Sequence, residues 1–242
     1  MRMAGRVMVF GATGGIGGAL ARRLKARGVE PFLVARGEAK LAELGAALGA
    51  PWQAADATDA ASVKAAVAAA GAPLAGLAFC VGSILLKPIS RLSEADFLDT
   101  FRLNALAPAM AVQAALPALV AGKGSVVLFS SVAARRGFTN HAAFGAAKAA
   151  VEGLAVSLAA ELAPNVRVNV VAPSLTKTQL AEPLTRSPQM AEAIARQHPI
   201  PRLGEGDDAA AMADFLLSDA AGWITGQVIG VDGGRGALAG KG

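Results

Sequence analysis

Short, almost uninterrupted apolar runs alternate along this chain with segments of helical periodicity. That alternation limits the fold more than any other feature. The runs are RVMVF (6–10), PFLVA (31–35), WQAAD (52–56), LAGLAFCV (74–81), SVVLFSS (125–131), VRVNVVAP (166–173) and QVIGVDGG (227–234). Most do not alternate polar with apolar residues. They read as strands buried on both faces, as in a parallel sheet covered by helices. Between them lie GGALARRLKARG, AKLAELGAALG and DAASVKAAVAAAG, then helical stretches near 93–121, 141–162, 178–196 and 207–218. Repeated strand–helix units require right-handed crossovers. The expected fold is therefore α/β, a doubly wound, Rossmann-type parallel sheet of about seven strands with helices on both faces. No repeat or linker divides residues 1–242, so one domain is expected. The tail RGALAGKG (235–242) reads as loose.

Composition narrows the function classes. Hydrophobic residues make up 54% of the chain and charged residues 17%, which excludes a disordered chain. A single cysteine, Cys80, excludes a disulfide framework and a thiolate metal cluster, and no metal site is expected. Cys80 closes an apolar run and reads as core. A reducing cytoplasm is the simplest setting, and no signal peptide is read at the start. Residues 65–86 carry no charge over a length that could span a membrane. Gly71, Pro73, Gly76 and Gly82 break that stretch, so a helix end, a loop and a buried strand are expected, with no membrane partner. The net charge is +5, but the basic residues are scattered and no aromatics lie among them. Nucleic-acid binding is not expected. An anionic cofactor or small-molecule substrate would account for the bias, and so would chance.

VFGATGGIGGAL joins the first strand to the first helix, with Gly11, Gly15 and Gly17 spaced G-x-x-x-G-x-G. Side chains there would keep a pyrophosphate from the backbone, and the helix N-terminus offers free N–H groups. The same glycines would also serve a tight turn packed on the sheet. The second strand ends in LVARG. A carboxylate there would hold a ribose 2′-hydroxyl, whereas Arg36 suits a 2′-phosphate, so NADP(H) is expected over NAD(H). Arg36 is equally the type of residue that begins a helix in solvent. Asp56-Ala57 ends the third strand, at the edge where an adenine would lie, or caps the next turn.

These pieces together resemble the short-chain dehydrogenase/reductase family over nearly the whole chain. RLNALAP resembles the segment carrying the family's active-site asparagine, at Asn104. VVLFSSVA resembles the strand end with the catalytic serine, at Ser131. Lys148 falls where the family keeps the lysine of a Tyr-x-x-x-Lys motif. RVNVVAPSLTKT resembles the Pro-Gly segment over the nicotinamide, and ITGQVIGVDGG the C-terminal strand. The resemblance implies cofactor contacts at Gly11, Thr13, Gly15, Ile16, Gly17, Arg36, Asp56, Ala57, Val81, Gly82, Lys148, Pro173, Thr176 and Thr178.

The departures are as informative. Phe144 stands at the tyrosine position, and the chain contains no tyrosine. Phe79-Cys80-Val81-Gly82 replaces Asn-Asn-Ala-Gly, Ser174 follows Pro173 where the family has glycine, and Phe10 precedes the loop in place of threonine. The resemblance implies hydride transfer by the nicotinamide, a proton moved by the phenol, and a substrate oxygen held by the serine. The lysine would hold the ribose and lower the phenol's pKa, while the asparagine orders a water. Phe144 has no proton to move. His141, one turn before it, could supply one, or could merely flank the helix start. Three readings follow: an NADP(H)-dependent oxidoreductase with atypical proton delivery, a catalytically silent NADP(H)-binding protein (a cofactor sensor or inactive partner subunit), or other chemistry in the same cleft such as non-redox proton transfer. Asn104 could also simply tie helix to strand.

The resemblance further implies a substrate lid at about 174–206, in which Leu180, Leu184 and Met190 suggest an apolar pocket. Arg135 and Arg136 lie near its mouth, either to recruit an anion or as solvated residues. The long helices at about 100–121 and 144–162 imply a homotetramer or dimer.

Overall fold

A computed structural model describes residues 5–238. Seven parallel strands form the main sheet in the order β3-β2-β1-β4-β5-β6-β9. They are β1 (Arg6–Phe10), β2 (Pro31–Ala35), β3 (Trp52–Ala54), β4 (Leu74–Phe79), β5 (Ser125–Phe129), β6 (Arg167–Pro173) and β9 (Val228–Val231). The chain winds outward from β1 to β3, then returns to place β4 on the other side of β1. The strand order therefore reverses between β1 and β4, and a crevice opens there at the carboxyl ends. Continuous apolar runs were the right signal, because β2, β4 and β5 are buried along their whole length.

Helices cover both faces. One apolar layer joins Val7, Leu20, Leu24, Leu33 and Leu216, from α1 (Gly15–Ala26) and α9 (Gly206–Leu217) with the sheet. The other joins Phe10, Val63, Ala111, Leu119 and Val151, from α3 (Ala60–Ala70), α5 (Ala107–Gly122) and α6 (Ala142–Leu162). α2 (Glu38–Leu48) packs Leu41 against the β3-β2 end of the sheet.

Several elements are shorter than expected. β3 stops at Ala54, β4 at Phe79 and β5 at Phe129. Ala55, Cys80 and Ser130 each still donate their N–H to the neighbouring strand, and the chain beyond them turns off to form the loops of the crevice. The helix expected at 93–121 is α4 (Glu94–Phe101), one π-turn (Arg102–Leu106) and α5. Pro108 has no N–H for the carbonyl of Asn104 four residues earlier, so the regular ladder breaks there. The helix expected at 178–196 is also divided. A 3-10 turn (Gln179–Ala181) precedes α7 (Glu182–Thr185) and α8 (Pro188–Ala195), with Pro183 and Pro188 at helix starts. β7 (Thr176–Lys177) pairs in parallel with β8 (Gly204–Glu205), too short a pair to leave a periodicity in the sequence.

The uncharged stretch 65–86 is the end of α3, a loop and the buried strand β4, as its glycines and proline indicate. The tail is a correction. The Asp232 carboxylate accepts from the N–H groups of Gly234 (2.9 Å) and Gly236 (2.8 Å), a turn that leaves Arg235 half-buried against the body while 236–238 stay exposed. The rest of the tail, 239–242, lies outside the described residues.

Candidate active site

A cavity of ≈ 280 Å³ opens at the carboxyl ends of β1, β4, β5 and β6. Ile16 from the glycine loop, Val81 and Gly82 after β4, and Ser131 after β5 line it. His141, Phe144 and Lys148 enter from α6, and Pro173, Thr176 and Thr178 from the end of β6. These predicted site residues are thus brought together.

Helical spacing does stack His141, Phe144 and Lys148. The His141 and Phe144 ring centroids are 6.0 Å apart in an edge-on arrangement, and Lys148 Nζ sits 6.0 Å from the Phe144 centroid. Lys148 is buried and donates 2.9 Å to the Phe129 carbonyl. Burial pulls its pKa down from 10.5 to about 8. An ammonium offers three N–H groups, and one protein acceptor engages it here. His141 precedes the first turn of α6 without capping it. Its Nδ1 lies 2.7 Å from the Thr139 carbonyl, which can only accept, so Nδ1 carries a proton and donates it there.

Ser131 Oγ accepts 3.2 Å from the N–H of Ala133, so its own proton is left for the cavity. The neighbouring Ser130 turns inward, 2.9 Å from Glu152 Oε1 and 3.1 Å from the Lys148 carbonyl. Asn104 stands behind this wall in the π-turn. Its Oδ1 accepts from the N–H of Ser83 (3.2 Å), and its Nδ2 donates to the Thr100 carbonyl and Ser83 Oγ, both 3.0 Å. The amide thus ties the helix to the loop after β4. A Cβ on Gly82 would lie 2.9 Å from Asn104 Oδ1 and 3.4 Å from Lys148 Nζ, so the loop closes directly on both.

The remaining predicted cofactor residues lie outside the cavity lining but along the same sheet edge. Gly11 has φ +77°, and a Cβ there would meet the Cys80 carbonyl group at 2.9 Å. A Cβ on Gly17 would sit 2.2 Å from the Gly11 carbonyl oxygen, and one on Gly15 2.7 Å from Thr178 Cγ2. Thr13 lies in the turn between them. The glycines therefore serve close packing as well as an open backbone. Arg36 is exposed just past β2. The Asp56 carboxyl accepts from the N–H (2.8 Å) and hydroxyl (2.7 Å) of Thr58. Those bonds, and more weakly Arg36 and Arg102, hold it below the ordinary carboxylate range. Ala57 is buried in the core layer below.

One reading of the sequence, the loose tail at Arg235, needs correction, and two others are sharpened. Cys80 is half-buried and lines the cavity, although desolvation pushes its thiol pKa upward and away from nucleophilic use. Arg135 and Arg136 part company. Arg135 is held by Glu152 at 2.6 Å, whereas Arg136 donates to the Arg235 carbonyl. Arg235, read as loose tail, lines the cavity. Its signal was Asp232-Gly233-Gly234, two glycines at positive φ that turn the chain back. His198 was also missed. It is buried, its Nδ1 faces the Ile194 carbonyl at 3.0 Å, and its Nε2 lies 2.8 Å from Ser174 Oγ.

A family model described as enoyl-(acyl carrier protein) reductase matches residues 11–235. A tropinone reductase homolog of Arabidopsis thaliana is 37% identical over 156 residues, 64% of this chain and 59% of that protein. Human dehydrogenase/reductase SDR family member 4 is 33% identical over 94% of this chain and 86% of its own. A short-chain type dehydrogenase/reductase from Mycobacterium ulcerans superposes with a TM-score of 0.91 at 34% identity, covering 98% of this chain and 92% of that one. A variant of actinorhodin polyketide ketoreductase solved with NADPH superposes at 0.90 with 26% identity, over 98% and 99% of the two chains.

Proposed function

Because the chain belongs to the short-chain dehydrogenase/reductase family, whose members bind nicotinamide cofactors, we propose that it is an NADP(H)-dependent oxidoreductase acting on a carbonyl, enone or imine carbon without a catalytic tyrosine. The observation that carries this reading is the single cavity in which Ser131, Lys148 and the end of β6 face the glycine-loop residue Ile16.

The residues present suit the cofactor. Gly11, Gly15 and Gly17 leave no side chain over the start of α1, where N–H groups and the helix dipole favour a pyrophosphate. The ammonium of Lys148 has N–H groups left for ribose hydroxyls after its bond to Phe129. Arg36 is exposed and makes no ion pair among the described residues, which favours a 2′-phosphate and hence NADP(H). Thr13, Asp56 and Ala57 would border the adenosine half, and Val81, Gly82, Pro173, Thr176 and Thr178 the nicotinamide half. When bound, the nicotinamide supplies or takes up a hydride. Ser131 then directs its free O–H at the substrate oxygen. Asn104 holds the loop after β4 against Lys148.

Phe144 fills the place of a phenol but carries no proton, so the proton reaches the substrate from water or from His141, which can give one through Nε2 only when both ring nitrogens are protonated. His141 lines the cavity, and its Nε2 has no protein partner among the described residues. Leu180, Leu184, Met190 and Ile194 form the wall contributed by residues 174–206, which act as a lid over an apolar small-molecule substrate. Small residues and exposed apolar side chains on the long helices favour a homotetramer or dimer.

The test combines binding with turnover. NADPH fluorescence should change on titration with protein at micromolar concentration, and a panel of ketones, enones and imines should include one that oxidises NADPH. Phe144→Tyr should then raise kcat with a simple ketone by about 10²-fold, the usual worth of a placed general acid. Absence of NADPH binding would overturn the proposal. Binding with no turnover across the panel, in the wild type and in Phe144→Tyr, would instead mark a silent cofactor-binding protein.

A further inference from the structure

We infer that Arg235 and Arg136 form an anion seat at the rim of the cavity, so that the substrate is an apolar molecule ending in a carboxylate or phosphate. The inference rests on reading the cavity as the substrate site. Both guanidinium groups lie over the ring of Phe138, Arg235 at 4.9 Å and Arg136 at 6.0 Å from its centroid. Their polar partners are neutral oxygens. Arg235 Nη2 donates 2.5 Å to Gln197 Oε1, and Arg136 Nη1 donates to the carbonyl of Arg235. Among the described residues neither has a carboxylate partner, in contrast to Arg135, which is neutralised by Glu152.

Two like charges that share the Phe138 ring repel each other, and Arg235 is partly buried while Arg136 is exposed. Burial and the charge of Arg136 both lower the pKa of Arg235. The ring face of Phe138 offsets only part of this. An anionic group bridging the two guanidiniums would remove the repulsion and gain charge-assisted hydrogen bonds. The location fits such a ligand. A Cβ on Gly236 would lie 3.4 Å from Val132 Cγ1, so the turn bearing Arg235 is held beside the segment that follows Ser131. The rest of the wall is mainly aliphatic, supplied by Leu86, Leu175, Leu180 and Met190 among others. A ligand with its reactive carbon near Ser131 and its charge at Arg235 would meet apolar surface in between.

Binding of octanoate and of octanamide, read by calorimetry with and without saturating NADPH, tests this apart from turnover. Octanoate should bind at least about tenfold tighter than octanamide at low ionic strength, and the advantage should shrink as salt rises. In Arg235→Gln, which keeps a donor for Gln197, and in Arg136→Gln, the advantage should fall to about threefold or less. Melting curves of both variants confirm that they are folded. Equal affinity for acid and amide in the wild type, an advantage that survives in both variants, or no binding of either compound would overturn the inference. If octanoate binds as expected while NADPH does not, the anion seat stands and the redox reading fails. If NADPH binds and is oxidised but acid and amide are not distinguished, the redox reading stands and the seat fails.

Discussion

At the scale of the residue, Lys148 shows what can be read from sequence and what needs the fold. Its spacing from Phe144 and His141 already put the three on one side of a helix, and they meet there. What the sequence could not give is the depth of burial, since the walls around Lys148 come from β5 and from the loop after β4. That depth has a measurable consequence. The folded chain holds Lys148 at a pKa of about 8 against the ordinary 10.5. Below the lower value both folded and unfolded chains carry the charge, and the folded one bears the desolvation cost. Above the higher value neither is charged. In between, the unfolded chain binds more protons, so stability rises with pH. Relative to Lys148→Met, the wild type should gain on the order of 1–3 kcal/mol across that window. Urea midpoints of the two proteins, taken at several pH values without cofactor, read the difference. A difference that is flat or falls with pH would contradict the burial argument. Arg235 is the opposite case. Nothing in its neighbours' periodicity marks it, because its position depends on a turn built by the Asp232 carboxylate three residues earlier.

At the scale of the element, apolar runs located every strand of the main sheet, and the errors lie at their ends. Ser130 and Cys80 make the last bond to a neighbouring strand, and Ser131 and Val81 continue the pattern after the ladder has ended, since pattern alone does not record where a neighbouring strand stops. The prolines at 108, 183 and 188 were visible, yet whether a proline opens, widens or breaks a helix depends on what the segment packs against. The glycine loop was legible as a unit, and its contacts sharpen its meaning. Gly17 lies within the first turns of α1, where alanine would normally stabilise a helix by about 0.5–1 kcal/mol. Its Cβ, however, would sit 2.2 Å from the carbonyl oxygen of Gly11, which is fixed backbone. Gly17→Ala should therefore cost about 2 kcal/mol or more and weaken NADPH binding by at least about tenfold, through displacement of Gly11 rather than contact with the cofactor. Thermal melting and an NADPH titration measure both effects. A variant that melts higher than wild type and keeps its affinity would show that the loop yields at no cost.

At the scale of the whole molecule, the order of strands and the crevice between β1 and β4 follow from repeated right-handed crossovers, so the topology was largely fixed by the alternation of runs. Whether copies of the chain meet was not, because the same small residues suit packing on a sheet and packing against a second helix. The structure separates the buried face of each long helix from its exposed face. The stretches Glu94–Gly122 and Ala142–Leu162 have mean hydropathies of 1.6 and 1.3, sufficient in length and apolarity to cross a membrane, yet only 44% of each apolar window is buried within one protomer. Their inner faces, with Ala111, Leu119, Val151 and Ala155, belong to the core and hold the helices on the sheet. Their outer faces leave Leu98, Phe101, Leu106 and Val156 exposed. A surface of that kind, on two adjacent helices, is what a self-complementary helical interface requires. Sedimentation at micromolar concentration should give a dimer or tetramer. Replacing Leu98 and Val156 together by glutamate should shift the population to the single chain while NADPH binding is retained, since neither residue lines the cavity. A wild-type protein that sediments as one chain at tens of micromolar would remove the interface, because outer faces that stayed wet would then give the exposed apolar residues no role in assembly.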